Sequence, residues 1–209
     1  MKNKKQLEIA LQRIPTHPDP KVEYEQYSTP STIASDLLWN SHSLGEIEGK
    51  TILDLGCGTG IFTIGALKLN AKLAIGVDID SQSIEVANNY ISKNLKLNNY
   101  KLISKDIQEL ESDLTADTIF QNPPFGSQRK ASKGEDLKFV DKACELDSSV
   151  IYSFHMASTR DFLVNYFQDK DLEITHIFNY KFNIPKIYDF HTKESKEVDV
   201  VVIRAINNI

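Results

Sequence analysis

The chain has 209 residues, 41% of them apolar and 25% charged, with a formal net charge of −5. That is the composition of an ordinary soluble globular domain with room for one core, and its acidic balance excludes a protein that coats nucleic acid non-specifically. Apolar runs such as Val198–Ile203 are far shorter than the roughly 20 residues needed to span a bilayer, and the basic start "MKNKKQLEIALQRI" lacks a signal-peptide core.

A cytoplasmic location is therefore expected. Two cysteines, Cys57 and Cys144, stand 87 positions apart with no CxxC or Cys/His cluster. No metal site and a reducing compartment are expected. Residues 1–21 carry a net charge of +3, leaving −8 for the rest, so local basic patches can still meet phosphate.

Residues 1–14 read as an amphipathic helix with Leu7, Ala10, Leu11 and Ile14 on one face. "PTHPDP" ends it. "EYEQYSTPS" leads to a second helix at about 31–42, which Ser31 is placed to cap. From residue 51 short β-rich runs alternate with helical stretches: "TILDL", a helix from Ile61, "LAIGVD", a helix over 81–97, "YKLIS", "DTIFQ", a helix over 136–146, "SVIYSF", a helix over 158–167, "EITHIFNY" and "VDVVVIR". This alternation predicts an α/β, Rossmann-like, doubly wound sheet of seven strands with helices on both faces. The last two strands lack a helix between them and are expected to pair antiparallel at one edge. The domain division is 1–45, a helical extension and covering segment, and 46–209, the sheet domain.

In such a sheet, ligands bind beyond the carboxyl ends of the strands, near the switch point. Three successive strand ends carry suggestive residues. "DLGCGTG" after the first strand offers Gly56, Cys57 and Gly58 for close backbone approach. Its G-x-G-x-G spacing and the adjoining Asp54 disfavour a pyrophosphate and suit a cationic ligand. Asp78, 24 residues after Asp54, is placed to take two ribose hydroxyls, while Asp80 fits a helix cap better. Asp106 could take an adenine amine, with Ile107 covering a ring face. Together they fit an adenosine cofactor without phosphate. The order and spacing resemble class I S-adenosylmethionine-dependent methyltransferases over about residues 50–205, which implies S-adenosyl-L-methionine and a mostly parallel sheet whose last strand is antiparallel.

The fourth strand runs into "NPPFG". Prolines cannot donate to a ladder, so the strand ends in a rigid corner. An exocyclic aromatic amine is a weak nucleophile because its lone pair is delocalised. Two acceptors around its hydrogens, the Asn122 side-chain oxygen and the Pro123 carbonyl, would direct that lone pair towards a methyl sulfonium. Pro123 and Pro124 hold the corner, and Phe125 offers a stacking face worth about 1–3 kcal/mol. A base entering this pocket must leave its stack. The tetrapeptide resembles the (N/D)PP(Y/F) signature of methyltransferases acting on adenine or on glutamine amides.

"EQYSTP", "DLGCGTG", "VDID", "NPPFG", "SFHMASTR" and "FHTK" together resemble the methyltransferase-like protein 5 family, over nearly the whole chain. The resemblance implies 6-methyladenosine formation in small-subunit ribosomal RNA. It also implies cofactor contacts from Gln26 and Thr29 in the upstream segment and from Gly56–Gly58, Asp78, Asp106 and Ile107; Asp54 and Asn122, read from their places at strand ends, are expected to join them. A heterodimer with a small zinc-binding activator protein along a sheet edge is implied too. Arg129, Lys130 and Lys133 follow the signature and are expected to meet RNA phosphate. Lys181–Glu197 is either an RNA contact or a solvated loop, and His155 either faces the site or is a satisfied strand-end residue. A protein-glutamine methyltransferase acting on release factor, a DNA-adenine enzyme, or a non-catalytic RNA scaffold that binds the cofactor are the rival readings.

Overall fold

The computed structural model describes residues 1–21, 25–125, 134–146, 148–185 and 195–207, with backbone alone at 183–185 and 195–196. Arg129, Lys130 and Lys133 lie outside the described residues, as does the stretch 186–194 within the expected Lys181–Glu197 segment. The described elements are α1 (Lys4–Leu11), α2 (Ser31–Ser43), β1 (Thr51–Leu55), α3 (Ile61–Lys68), β2 (Leu73–Asp78), α4 (Ser81–Asn94), β3 (Tyr100–Ser104), β4 (Ala116–Gln121), α5 (Glu135–Glu145), β5 (Ser148–Met156), α6 (Arg160–Gln168), β6 (Leu172–Pro185) and β7 (Ser195–Asn207).

The seven strands form one sheet in the order β3-β2-β1-β4-β5-β7-β6. The first five are parallel. β7 runs antiparallel between β5 and β6. β6 and β7 extend further than their apolar runs, because each lends the other a ladder from Leu172↔Asn207 to Pro185↔Ser195.

Side-chain alternation divides the core. Ile52, Phe120, Tyr152, Phe154 and Val202 face α1–α3. Leu53, Ile119, Ile151 and Ile203 face α5 and α6. The N-terminal helices share the first of these layers, since Leu7, Leu11 and Leu37 are buried in it. Asn3 caps α1 by accepting from Gln6 N at 2.9 Å. Ser31 does not cap α2, contrary to expectation. Pro30 occupies the cap position and makes no side-chain bond there, so Ser31 is already helical.

α2 and α3 approach closely at Gly65, where a Cβ would lie 2.3 Å from Leu38 Cδ1. Below the sheet domain's entry, Glu46 accepts from Tyr152 Oη at 2.5 Å and pairs with the buried Arg204 guanidinium, tying the loop before β1 to β5 and β7.

The chain reverses its direction of travel across the sheet between β1 and β4. That switch point places the turn after β1 beside the corner after β4, at the carboxyl ends of both strands.

Candidate active site

A cavity of about 670 Å³ opens at this switch point, within the range of about 300–1,000 Å³ usual for small-molecule sites. Its floor is the turn Gly56–Thr59. Asp78 and Ile79 form one wall, Asp106–Gln108 another, and Asn122 with Pro124 the far rim. Gly56 holds φ at +68°, and a Cβ there would press on the Phe139 ring at 3.0 Å. Only glycine gives the turn both this conformation and this clearance.

Asp78 organises the turn. Its Oδ2 accepts from Gly58 N at 2.7 Å and its Oδ1 from Asp80 N at 2.9 Å. A carboxylate has about four lone-pair sites, so acceptance of ribose hydroxyls remains open to it. Burial raises its pKa, against the two backbone bonds. Asp106 accepts from Gln108 N at 2.9 Å and starts a short 3-10 turn that sets Ile107 against the cavity.

The roof comes from the N-terminal segment. Residues from Leu11 to His17 and from Glu25 to Ser31 line the cavity. This strap is fastened at one buried carboxylate. Asp80 Oδ2 meets His17 Nε2 at 2.6 Å and accepts from Gln26 Nε2 at 2.7 Å. Its Oδ1 caps α4 through Gln82 N at 3.2 Å and lies 3.5 Å from Lys21 Nζ. Burial alone would raise the Asp80 pKa. The bonds from Gln26, Gln82 and His17, with the Lys21 charge, outweigh it and hold the carboxyl below its usual range.

At the far rim, Asn122 Nδ2 donates to Thr29 Oγ1 of the strap at 3.0 Å. Asn122 Oδ1 is buried and has no hydrogen-bond partner among the described residues. A buried acceptor without a donor is costly. Asn122 lines the cavity, where an N–H donor from outside the described residues would satisfy this oxygen.

The strand-end residues of a doubly wound sheet thus line a site of small-molecule size, with an open acceptor at Asn122 among the described residues. A family model describing the ribosomal protein L11 methyltransferase (PrmA) matches residues 39–123, a stretch that carries the glycine turn. The rRNA N(6)-adenosine-methyltransferase METTL5 of Danio rerio is 34% identical over 203 residues, covering 96% of this chain and 97% of its own. The chain belongs to the METTL5 family. Methanocaldococcus jannaschii has an uncharacterized relative, MJ0284, 40% identical over 98% of this chain and 94% of its own. The crystal structure of PH1948 from Pyrococcus horikoshii, a candidate RNA methyltransferase, superposes with a TM-score of 0.89 at 38% identity, with both chains covered completely. The expected class I methyltransferase fold is the fold observed.

The structure gathers most of the residues singled out in this METTL5-family sequence. Gln26, Thr29, Gly56, Cys57, Gly58, Asp78, Asp106, Ile107, Asn122 and Pro124 all line the one cavity. Asp54 does not. It is 1% exposed, and its Oδ2 accepts from Thr63 N at 2.9 Å and Thr63 Oγ1 at 2.7 Å, fixing the start of α3. Burial pushes the Asp54 carboxyl up to about 7, opposed by the Thr63 bonds and aided by the charge of Asp78. Burial likewise raises the Cys57 thiol.

Pro123 is buried behind the rim. Phe125 faces a second, smaller pocket and stands edge-on to Phe182 at 6.4 Å. His155 is the satisfied residue of the two alternatives. It is fully buried, with Nε2 2.7 Å from Ser153 Oγ and Nδ1 3.1 Å from Asp136 Oδ2, and it pins the start of α5 to β5.

Sequence reasoning missed three contributors. His17 was read only as part of a helix-breaking stretch. Ile79, 48% exposed at the cavity wall, was hidden between two aspartates, although an apolar residue at that strand end was a readable signal. Phe139 reaches the site from α5, and no local pattern announces that.

Proposed function

We propose that the chain methylates the exocyclic amine of an adenosine in small-subunit ribosomal RNA, forming 6-methyladenosine with the base flipped out of its stack. S-adenosyl-L-methionine supplies the methyl as a sulfonium and leaves as the neutral thioether. The residues present fit that cofactor. Asp78 would accept from the ribose hydroxyls, Asp106 with Ile107 would offer an acceptor and an apolar face to adenine, and Gln26 and Thr29 of the strap would hold the methionine end.

The observation that carries the reading is the Asn122 amide. Its nitrogen is tied to Thr29, and its oxygen is buried without a donor among the described residues, on the rim of the proposed cofactor cavity. There it accepts one amine hydrogen, the Pro123 carbonyl accepts the other, and the nitrogen lone pair is turned to the incoming methyl. The amine needs no strong base, since its proton is acidic once the fourth bond has formed and passes to solvent.

Relatives named as ribosomal protein L11 methyltransferases match only 37–41% of the chain, against 88–96% for those named as rRNA adenosine methyltransferases, and so do not favour a protein substrate. A small zinc-binding activator belongs to this reading as partner, with the unpaired sheet edges β3 and β6 as places for it. A cytoplasmic site of action fits an rRNA substrate and the absence, among the described residues, of a helix long and apolar enough to cross a membrane.

The test is Asn122→Ala. Removing one preorganised partner of the reacting group is expected to slow transfer to rRNA about 10²–10³-fold, with cofactor affinity changed by less than about threefold. Transfer at the wild-type rate would remove Asn122 from the chemistry. Mapping methylated adenosines in rRNA from cells with and without the gene identifies the target.

A further inference from the structure

The corner after β4 separates two hollows. Asn122 and Pro124 line the large cofactor cavity, whereas Phe125 lines a neighbouring pocket of about 220 Å³. That volume is below the usual range of about 300–1,000 Å³ for whole small molecules, and it suits a single flat ring system.

Three structural units wall the pocket. Phe125 comes from the corner, Asp136 and Leu137 from α5, and Met156, Thr159 and Phe162 from the end of β5 and the start of α6. Four of these six side chains are apolar, two of them aromatic. Asp136 is held in place by its bond to His155. Phe162 is 55% exposed, the most exposed large hydrophobic residue among the described ones. Its ring is backed by Tyr166 at 5.8 Å, which steadies it one turn along α6. A large aromatic left open to water at the mouth of a pocket that shares a wall with the transfer site has an unspent stacking face.

We infer that Phe162 is a substrate-binding residue. The ring of the acceptor base enters the small pocket between Phe125 and Phe162, while its exocyclic amine reaches round the corner to Asn122 on the cofactor side. This inference rests on the adenosine-acceptor reading. It adds a second stacking face, supplied by α6 and not by the tetrapeptide. The two hollows then have distinct occupants, meeting only at the Asn-Pro-Pro corner. Met156 adds a polarisable thioether at the pocket wall, suited to a ring edge.

Four variants of the full chain test it: Phe162→Ala, Phe162→Leu, Phe162→Tyr and Phe162→Trp. The measurements are labelled-methyl transfer to small-subunit rRNA from cells lacking the gene, cofactor affinity by calorimetry, and melting temperature. Loss of one base–aromatic stack predicts a fall in kcat/KM for rRNA of about 5- to 140-fold in F162A, which corresponds to about 1–3 kcal/mol. Cofactor affinity should stay within about twofold.

The ring series separates stacking from mere packing. F162Y and F162W should retain most activity, and F162L should resemble F162A despite similar apolar bulk. Wild-type kcat/KM in F162A, or equal activity of F162L and F162Y, overturns the role of Phe162. If the wild-type chain still methylates rRNA adenosine in that experiment, the acceptor reading stands without it. A wild-type chain that methylates no adenosine overturns both.

Discussion

Replacing Asp80 with Asn separates two tasks that one carboxylate performs. As a helix cap, Asn is about equal to Asp, so the Oδ1 bond to Gln82 N survives and α4 keeps its start. As the fastening of the strap, Asn is inadequate. The carboxylate Oδ2 receives both His17 Nε2 at 2.6 Å and Gln26 Nε2 at 2.7 Å. With its oxygen kept at the cap, the amide of D80N would present an NH2 to those partners, and Gln26 would face a donor.

Hydrogen bonds to a charged group contribute about 1.5–3 kcal/mol and neutral ones about 0.5–1.5 kcal/mol. Two such bonds weakened or lost amount to about 2 kcal/mol. Lys21 adds little, because its side chain is 41% exposed. The strap forms the cavity's roof, so this energy appears in ligand retention, and 2 kcal/mol is about 30-fold in an equilibrium constant.

D80N is therefore expected to bind S-adenosylmethionine about 30-fold more weakly, mainly through faster dissociation. Calorimetry and stopped-flow release of cofactor measure it, with the melting temperature as a control on the fold. Affinity within threefold of wild type would refute the fastening argument. The pH dependence follows in sign. Asp80's pKa is depressed below 3.8 in the folded chain, so its contribution is present above the usual carboxylate range. It is lost only as pH falls through the depressed value.

Asp54 behaves in the opposite sense. Its folded pKa of about 7 lies above the unfolded 3.8, so the folded state holds the proton more tightly. Stability is full below about pH 4 and declines as pH rises towards 7. D54N, whose amide oxygen can keep both Thr63 bonds, should flatten urea-denaturation midpoints between pH 4 and 7. An unchanged slope would assign the pH dependence to other groups. Gly56→Ala forces a Cβ at φ +68° against the Phe139 ring. A cost of about 1–3 kcal/mol is expected, seen as a fall in Tm of about 2–4 °C per kcal/mol together with weaker cofactor binding. An unaltered Tm would show that α5 shifts freely away from the turn.

Local chemistry explains how much could be read from the sequence. β1 and β2 have the bounds their apolar runs suggest, because parallel strands buried on both faces are largely apolar and turn residues punctuate them; β3, a half-buried edge strand, is bounded by its turn residues. Gly56, Asp78 and Asp106 were legible because each follows a strand, and strand ends at a switch point are where ligands bind. The full length of β6 and β7 was not legible, since it depends on each strand finding the other. Asp54 was misread for a similar reason. A carboxylate just before a glycine turn looks available to a ligand, and only the three-dimensional position of Thr63, nine residues on, shows that its Oδ2 is taken up at the start of α3.

The sequence by itself determined the class of sheet, the order of the site segments along the chain, and the rigid Asn-Pro-Pro-Phe corner. These follow from periodicity, glycine conformation and the missing N–H of proline, all properties of neighbouring residues. Tertiary structure alone decided which side chains meet. It brought His17 and Gln26 to Asp80, 63 and 54 positions away, Thr29 to Asn122, 93 positions away, and Phe162 to the far side of the corner from the cofactor cavity. Such pairings are set by how helices pack on a sheet whose strand order differs from chain order, and no stretch of local sequence encodes that.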